Sequence, residues 1–231
     1  GSWVLINDVA NVRQWGAKGD DSTDDAAKIN AAIAWSVTVT PAKEVYIPKG
    51  TFRISTPLLV DTDNVSIRVH GRVKNINGTN TAVLSISKVS APPLTNGIVT
   101  YQFGNITING DNIGILDQNG PNATPWASTN PLTAWHGTYC RGVDGLQFKN
   151  LIVTNSIMWG VAFERSRNVN IVGCNVINTA HSGRTYLGVF QKSTQDAIHL
   201  HDCRDSSIVN CYAESQDDTL AVSSAVTHAG N

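Results

Sequence analysis

The stretch GLQFKNLIVTNSIMWGVAFERSRNVNIVGCNVINT, residues 145–179, holds the same apolar pattern twice. Leu146, Phe148, Leu151 and Val153 recur as Val169, Ile171, Cys174 and Val176, an offset of 169 − 146 = 23 residues. Alternation of this kind puts every second side chain on one face of a strand. Downstream, Ile171 and Cys174 recur as Ile208 and Cys211, 208 − 171 = 37 residues on, and Ile198 and Leu200 recur as Leu220 and Val222, 220 − 198 = 22 residues on. A repeat of 22 to 23 residues with Asn and Gly at its corners describes one coil of a parallel β-solenoid, whose inward side chains are buried on those of the next coil. The offset of 37 is then one coil plus an insertion of 37 − 23 = 14 residues, placed in 180–194, AHSGRTYLGVFQKST, as a loop standing off the solenoid.

Working outward, short strand-like runs separated by Gly, Asn and Asp fill most of the chain: EVYIPKGTFRI, VSIRVHGRV, NITINGDNIGIL, AIHLHDC, SSIVNCYA and TLAV join the two repeated segments. Such runs alone also fit a sandwich or a barrel; the internal repeat decides for the solenoid. One helix is predicted, over residues 22–37, STDDAAKINAAIAWSV, with Ser22 or Thr23 as cap and Asp24 and Asp25 at its positive end. Ile29, Ala32, Ile33 and Val37 form its apolar face. The fold class is therefore all-β, a parallel β-helix with a short N-terminal capping helix. The chain divides into residues 1–40, the leading segment and helix, and 41–231, the solenoid.

Composition narrows the function. Charged residues make up 15% of the 231 and the formal net charge is −1, which argues against a basic nucleic-acid-binding stripe. Hydrophobic residues reach 41%, enough for a core. No apolar run approaches the roughly 18 residues that span a membrane, and no signal peptide is visible after the leading Gly1-Ser2. Cys140, Cys174, Cys203 and Cys211 lack metal-ligand spacing and read as small buried residues rather than disulfide partners. Asn77, Asn105 and Asn122 match glycosylation sequons at the level of chance.

Two carboxylates stand side by side in SQDDTLAV, residues 215–222, at the edge of an apolar run. Asp218 shifted back by 22 falls on Asp196, and Asp196 shifted back by 37 falls on Trp159. One line along the solenoid thus reads Trp159, Asp196, Asp218, with Asp217 beside it. Coils stack roughly 4.8 Å apart, so repulsion among three carboxylates should raise at least one pKa and split their roles into acid and base. Parity objects: on an ideal strand Asp196 and Asp218 would point inward with Ile198 and Leu220. Corners at 195–197 and 217–219 are required to bring them outside. The plainer reading of Asp217-Asp218 is a turn cap, but it leaves the aligned Asp196 unexplained. Asp20-Asp21 and Asp24-Asp25 belong to the helix start. His199 and His201 alternate outward and are either surface residues or the wall of a sugar-binding cleft. Trp159 is either a ladder aromatic or a platform for a sugar ring. Trp126 and Trp135 could serve a carbohydrate groove.

WGAKGDDSTDDAAKINAAI (15–33) followed by VYIPKGTFRIS (45–55) resembles the opening of right-handed parallel β-helix proteins of the pectate-lyase-like superfamily. In those proteins the short helix plugs the first coil. Residues 143–222 resemble, more narrowly, the polygalacturonase family of glycoside hydrolases. VTNSIMWGVAFERSRNVNIVGCNV is similar to the coil before its active site. TQDAIHL is similar to its Asn-Thr-Asp-Gly motif with Thr194, Gln195 and Ala197 as departures, and SQDDTLAV to its Gly-or-Gln-Asp-Asp motif. The resemblance implies that Asp218 protonates the leaving glycosidic oxygen, that Asp196 and Asp217 activate water, and that the anomeric carbon is inverted. Spacing alone does not decide the stereochemistry: inverting pairs stand about 6.5–9.5 Å apart and retaining pairs about 5–5.5 Å, and one coil is nearer the second range. The family also uses a His one coil further on, then an Arg and a Lys for a sugar carboxylate. That coil falls at 218 + 22 = 240, past residue 231, and His228 is too close to Asp218 to be that His. The expectation is a solenoid that stops in mid-run, completed by a missing segment or by another chain, with the sugar-charge readers out of view.

Three function classes follow. The first is a glycoside hydrolase acting on a polysaccharide through Asp196, Asp217 and Asp218, with Trp159, His199 and His201 as substrate contacts and no cofactor or metal. The second is a polysaccharide lyase or epimerase, in which the Asp cluster would hold calcium. The third is a non-catalytic, glycan-binding β-helix of the phage tailspike type. A polysaccharide partner, with neither nucleic acid nor membrane, is common to all, and implies a secreted or virion-associated protein.

Overall fold

The computed structural model describes residues 9–76, 81–88, 101–120, 136–179, 184–186, 189–191 and 195–224. The apolar alternation becomes register in its strands. In chain order these are β1 (Val9–Asn11), β2 (Asp20–Asp24), β3 (Glu44–Ile47), β4 (Thr51–Ile54), β5 (Leu58–Val60), β6 (Ser66–Val69), β7 (Arg72–Asn75) and β8 (Leu84–Ile86). Then come β9 (Phe103–Asp117), β10 (Thr138–Arg141), β11 (Val143–Thr154), β12 (Val161–Glu164), β13 (Arg167–Val172) and β14 (Asn175–Asn178). The last are β15 (Arg184–Tyr186), β16 (Val189–Gln191), β17 (Ile198–His201), β18 (Ser207–Val209), β19 (Tyr212–Ser215) and β20 (Leu220–Ser223).

Every neighbouring pair outside β15–β16 is parallel. One sheet runs β1-β3-β6-β9-β11-β13-β18, with β2, β4, β7, β14 and β19 joined to it around a corner. A second sheet runs β5-β8-β10-β12-β17-β20. The long β9 and β11 pass through the corner that separates β13 from β14 in the next coil. The architecture is a right-handed parallel β-helix.

The repeat holds in register. Leu146 faces Val169, Phe148 faces Ile171, and Val153 faces Val176 across coils. Ile171 faces Ile208, while Ile198 and Leu200 face Leu220 and Val222. Corners recur as columns of left-handed residues: Gly142, Arg165 and Asp202; Gly145, Asn168 and Asp205; Asn150, Gly173 and Asn210. A corner this sharp needs positive φ, which glycine adopts freely and Asn and Asp tolerate. Leu146, Phe148, Leu151, Val153, Val169, Ile171, Cys174 and Val176 are each 0% exposed, and Phe148 meets Phe163 edge-on at 6.0 Å.

The helix is shorter than its predicted span. It forms as α1 (Ala26–Ser36), and Ser22 and Thr23 do not cap it. They lie instead in β2, which pairs with β4, so sheet pairing overrides the local capping signal. Asp20 accepts from the Ser22 and Thr23 amides within that strand. Asp25 occupies the N-cap position but turns its carboxylate to the Lys18 and Gly19 amides, both at 2.9 Å. Asp24 accepts from Ala26 N in the first turn. Ala26, Ile29, Ala32 and Ile33 are buried as the apolar face, while Val37 lies just past the helix and is half-buried. α1 packs against β1, β3, β4 and β5 at the start of the solenoid.

Within 180–194 the chain forms an antiparallel ribbon, β15 with β16, apart from both main sheets. All four cysteines are free; Cys140 and Cys174 are buried, whereas Cys203 and Cys211 are half-buried. Trp126, Trp135, Asn77, Asn122, Thr194 and His228 lie outside the described residues. Among the described residues no helix is long and apolar enough to cross a membrane.

Candidate active site

Parallel register turns sequence offsets into columns on the outer face of the second sheet. Tyr139, Ala162, His199 and Ala221 form one column, and Arg141, Glu164, His201 and Ser223 another. A third column precedes these strands. Gly137 N donates to Trp159 O at 3.1 Å, Gly160 N to Asp196 O at 2.9 Å, and Ala197 N to Asp218 O at 2.9 Å. Hence His136, Trp159, Asp196 and Asp218 occupy equivalent places in four successive coils.

The chain bends at Ala197 and again at Gln216, Asp217 and Thr219, where parity demanded corners. Asn178 secures the first of them: its side-chain amide donates to Asp196 O at 3.1 Å and also to Met158 O. Gln216 ties the second to the preceding coil through Thr179 O at 2.8 Å. With the corners so held, the nearest side-chain oxygens of Asp196, Asp217 and Asp218 lie within 4.8 Å of one another. Asp196 is 4% exposed, while Asp217 and Asp218 are open to solvent. Asp196 Oδ2 is 2.6 Å from His199 Nδ1, and its Oδ1 accepts from Asp218 N at 3.4 Å.

Aromatic rings continue the line. His199 stacks on Trp159 at 3.9 Å between centroids, Trp159 on His136 at 5.0 Å, and His136 on Tyr139 at 5.7 Å. Trp159 is thus covered by one imidazole from the coil before and one from the coil after, and takes the ladder role rather than that of a free sugar platform. Its edge lines a cavity of ≈ 220 Å³ with His136, Tyr139, Phe163, Glu164 and His201. Trp159 Nε1 and His136 Nδ1 are buried there without a hydrogen-bond partner. Burial above all, with repulsion from His199 whenever that ring carries a proton, holds His136 down to about 3, so the His136 ring is neutral. Tyr139 donates to Glu164 at 2.7 Å; burial and that carboxylate push the phenol above its ordinary range. Glu164 also faces Arg141 and Arg165, each at 3.6 Å. His201 Nδ1 and His199 Nε2 both meet Ser223 Oγ, at 2.8 and 2.9 Å.

The structure therefore brings together Asp196, Asp217, Asp218, Trp159, His199 and His201, the residues singled out from the sequence. His136, Tyr139, Glu164 and Ser223 complete the face and were not singled out. The signal for His136 was present as the coil offset: 136 + 23 = 159. No motif marks the other three.

Comparison with known proteins agrees with this architecture. Residues 9–130 match the profile of the family described as rhamnogalacturonase A/epimerase, pectate lyase-like. A polygalacturonase from Medicago sativa is 22% identical over 218 residues, covering 93% of this chain and 48% of the relative. The chain thus spans about half the length of that curated relative. Among solved structures, the family 28 exopolygalacturonase of Yersinia enterocolitica superposes with a TM-score of 0.65 at 15% identity, over 93% of this chain and 44% of the other. The pre-mature gene product 12 of bacteriophage phi29 gives a TM-score of 0.65 at 17% identity, over 88% of this chain and 25% of the other. These two superpositions share the fold. On the profile match, which covers more than half of its residues, this chain belongs to the rhamnogalacturonase A/epimerase, pectate lyase-like family.

Proposed function

We propose that this chain is a glycoside hydrolase that cleaves a polysaccharide on the outer face of its second sheet, in the manner of the polygalacturonases. The observation that carries the reading is the approach of three carboxylates to within 4.8 Å beside an aromatic-walled cavity. Exposed Asp218 acts as the acid, donating a proton to the glycosidic oxygen as its bond to the anomeric carbon breaks. Asp196 and Asp217 hold and deprotonate the attacking water. Inversion at that carbon is taken from the polygalacturonase likeness, because oxygens within 4.8 Å of one another do not reach the separation of inverting pairs, about 6.5–9.5 Å. His199 keeps one Asp196 oxygen fixed, and its other oxygen faces the trio. Trp159, by its edge, and His201 contact the sugar chain from the cavity wall. The polysaccharide places the protein outside the cell or on a virion.

The test is a reducing-end assay on acidic and neutral polysaccharides, with NMR of the first-formed anomer. Asp218→Asn is expected to lower cleavage by about 10²–10⁴-fold, the usual worth of a positioned proton donor. Undiminished cleavage in that variant would remove Asp218 from the chemistry. A calcium-dependent, unsaturated product would assign the trio to a lyase instead. Tight glycan binding with no product from any polymer would favour a binding role of the tailspike kind.

A further inference from the structure

Ser223 has no part in the glycosidic chemistry above, yet it is the most elaborately partnered hydroxyl on this face. It stands outward and half-buried on β20. Its Oγ is 2.9 Å from His199 Nε2, and His199 Nδ1 is 2.6 Å from Asp196 Oδ2. A carboxylate only accepts, so Nδ1 carries the hydrogen, and in the neutral tautomer that this selects, Nε2 turns a lone pair to the hydroxyl. Nucleophile, base and orienting carboxylate thus follow one another within hydrogen-bond reach, the arrangement that activates a serine. Asp196 is 4% exposed, which strengthens its hold on the imidazole, and Trp159 stacked at 3.9 Å keeps that ring in plane. A second imidazole approaches from the other side: His201 Nδ1 is 2.8 Å from Oγ, with His201 Nε2 3.4 Å from the buried Asp202. With the hydroxyl hydrogen turned to His199, Oγ accepts from His201 Nδ1–H, which places an N–H donor where negative charge would develop beside Oγ.

We propose that Ser223 is the nucleophile of a second activity, hydrolysis of O-acyl esters borne on a glycan. The glycan as carrier rests on the reading above; the acyl chemistry rests on the Ser223, His199 and Asp196 geometry alone. Oγ bonds to the acyl carbon while its proton passes to His199 Nε2 and the carbonyl electron pair moves onto oxygen. The tetrahedral adduct collapses, the ester C–O bond breaks, and the His199 proton goes to the departing sugar oxygen. Water then attacks the acyl-serine, its proton moves to Nε2 and on to Oγ, and the carboxylic acid leaves. Water is the only co-reactant. Asp196 serves both activities, so a glycan occupies one arrangement or the other at a time.

The chain is treated with diisopropyl fluorophosphate and digested for peptide mass spectrometry. In parallel it is assayed for acetate release from p-nitrophenyl acetate and from an O-acetylated polysaccharide. The expected result is an adduct on Ser223 and acetate release that vanishes in Ser223→Ala and falls at least about 100-fold in His199→Ala, as for other serine triads. Ser223→Cys, nearly the same size, guards against misfolding: it should move labelling to a thiol reagent. A folded protein with no adduct at Ser223, or acetate release unchanged in Ser223→Ala, overturns the proposal. Acetate and new reducing ends are counted separately, so the glycosidase reading can fail while this one stands, and the reverse.

Discussion

The coil around β11 and the coil ending in β20 share one apolar alternation and opposite surroundings. Leu146, Phe148, Leu151 and Val153 are 0% exposed, whereas Leu220 is 50% and Val222 74% exposed. Leu220 and Val222 point the same way as Ile198 and Leu200 beneath them, with which they are in register. The difference therefore lies in what covers each coil from the far side. In a solenoid a residue's own pattern decides its direction, and the neighbouring coil decides how much its burial is worth.

The largest break in that comparison is expected from Phe148→Ala. It removes a ring packed between coils and should cost about 3–5 kcal/mol, read as a lower denaturation midpoint in guanidinium. Gly160→Ala should come next. A Cβ there would stand 2.4 Å from Val176 Cγ1 and 2.7 Å from Ala197 O, which follows directly on Asp196. Overpacking of this order costs about 1–3 kcal/mol, and glycan cleavage should fall with it because the Asp196 corner must move. An unchanged cleavage rate would mean that the corner is softer than its hydrogen bonds imply.

Acid should weaken the solenoid through a histidine buried in its middle coils. His136 is buried neutral, with its folded pKa held at about 3 against 6.5 for the free group. The unfolded chain takes up that proton first. The stability His136 contributes is thus complete above pH 6.5 and is lost as pH falls toward 3. Replacing His136 by Phe should flatten the fall in melting temperature across this window; an unaltered slope would mean that other groups set the acid limit. The smallest effect belongs to Val222→Ala, within about 0.5 kcal/mol as at other open sites. A loss comparable to that of Phe148→Ala would show that Val222 is covered in solution, by another copy of the chain for example.

The solenoid was legible because its repeat is written in side chains that must all face inward, so an offset of 23 in sequence became a register of Leu146 on Val169. The carboxylate line was legible for the same reason, since Trp159, Asp196 and Asp218 keep the coil offsets. The helix start was not. Ser22 and Thr23 form a sound local cap signal, and only the pairing of β2 with β4 outbids it. Tyr139 and Glu164 were not legible either: each is an ordinary outward residue until β10 and β12 lie side by side and the phenol reaches the carboxylate.

By itself, the sequence determined the period, the inward set, the corner residues and the coincidence of three carboxylates on one line, because each of these depends only on spacing along the chain. The tertiary structure alone decided that Trp159 is sandwiched between imidazoles and that Asp196 is buried against His199. It also decided that Ser223 stands between two histidines. Those arrangements depend on which atoms meet in space: Asp196 and His199 at 2.6 Å within one coil, Ser223 with the two histidines at 2.8 and 2.9 Å and Trp159 with its two imidazoles at 3.9 and 5.0 Å across coils, distances that spacing along a chain does not specify.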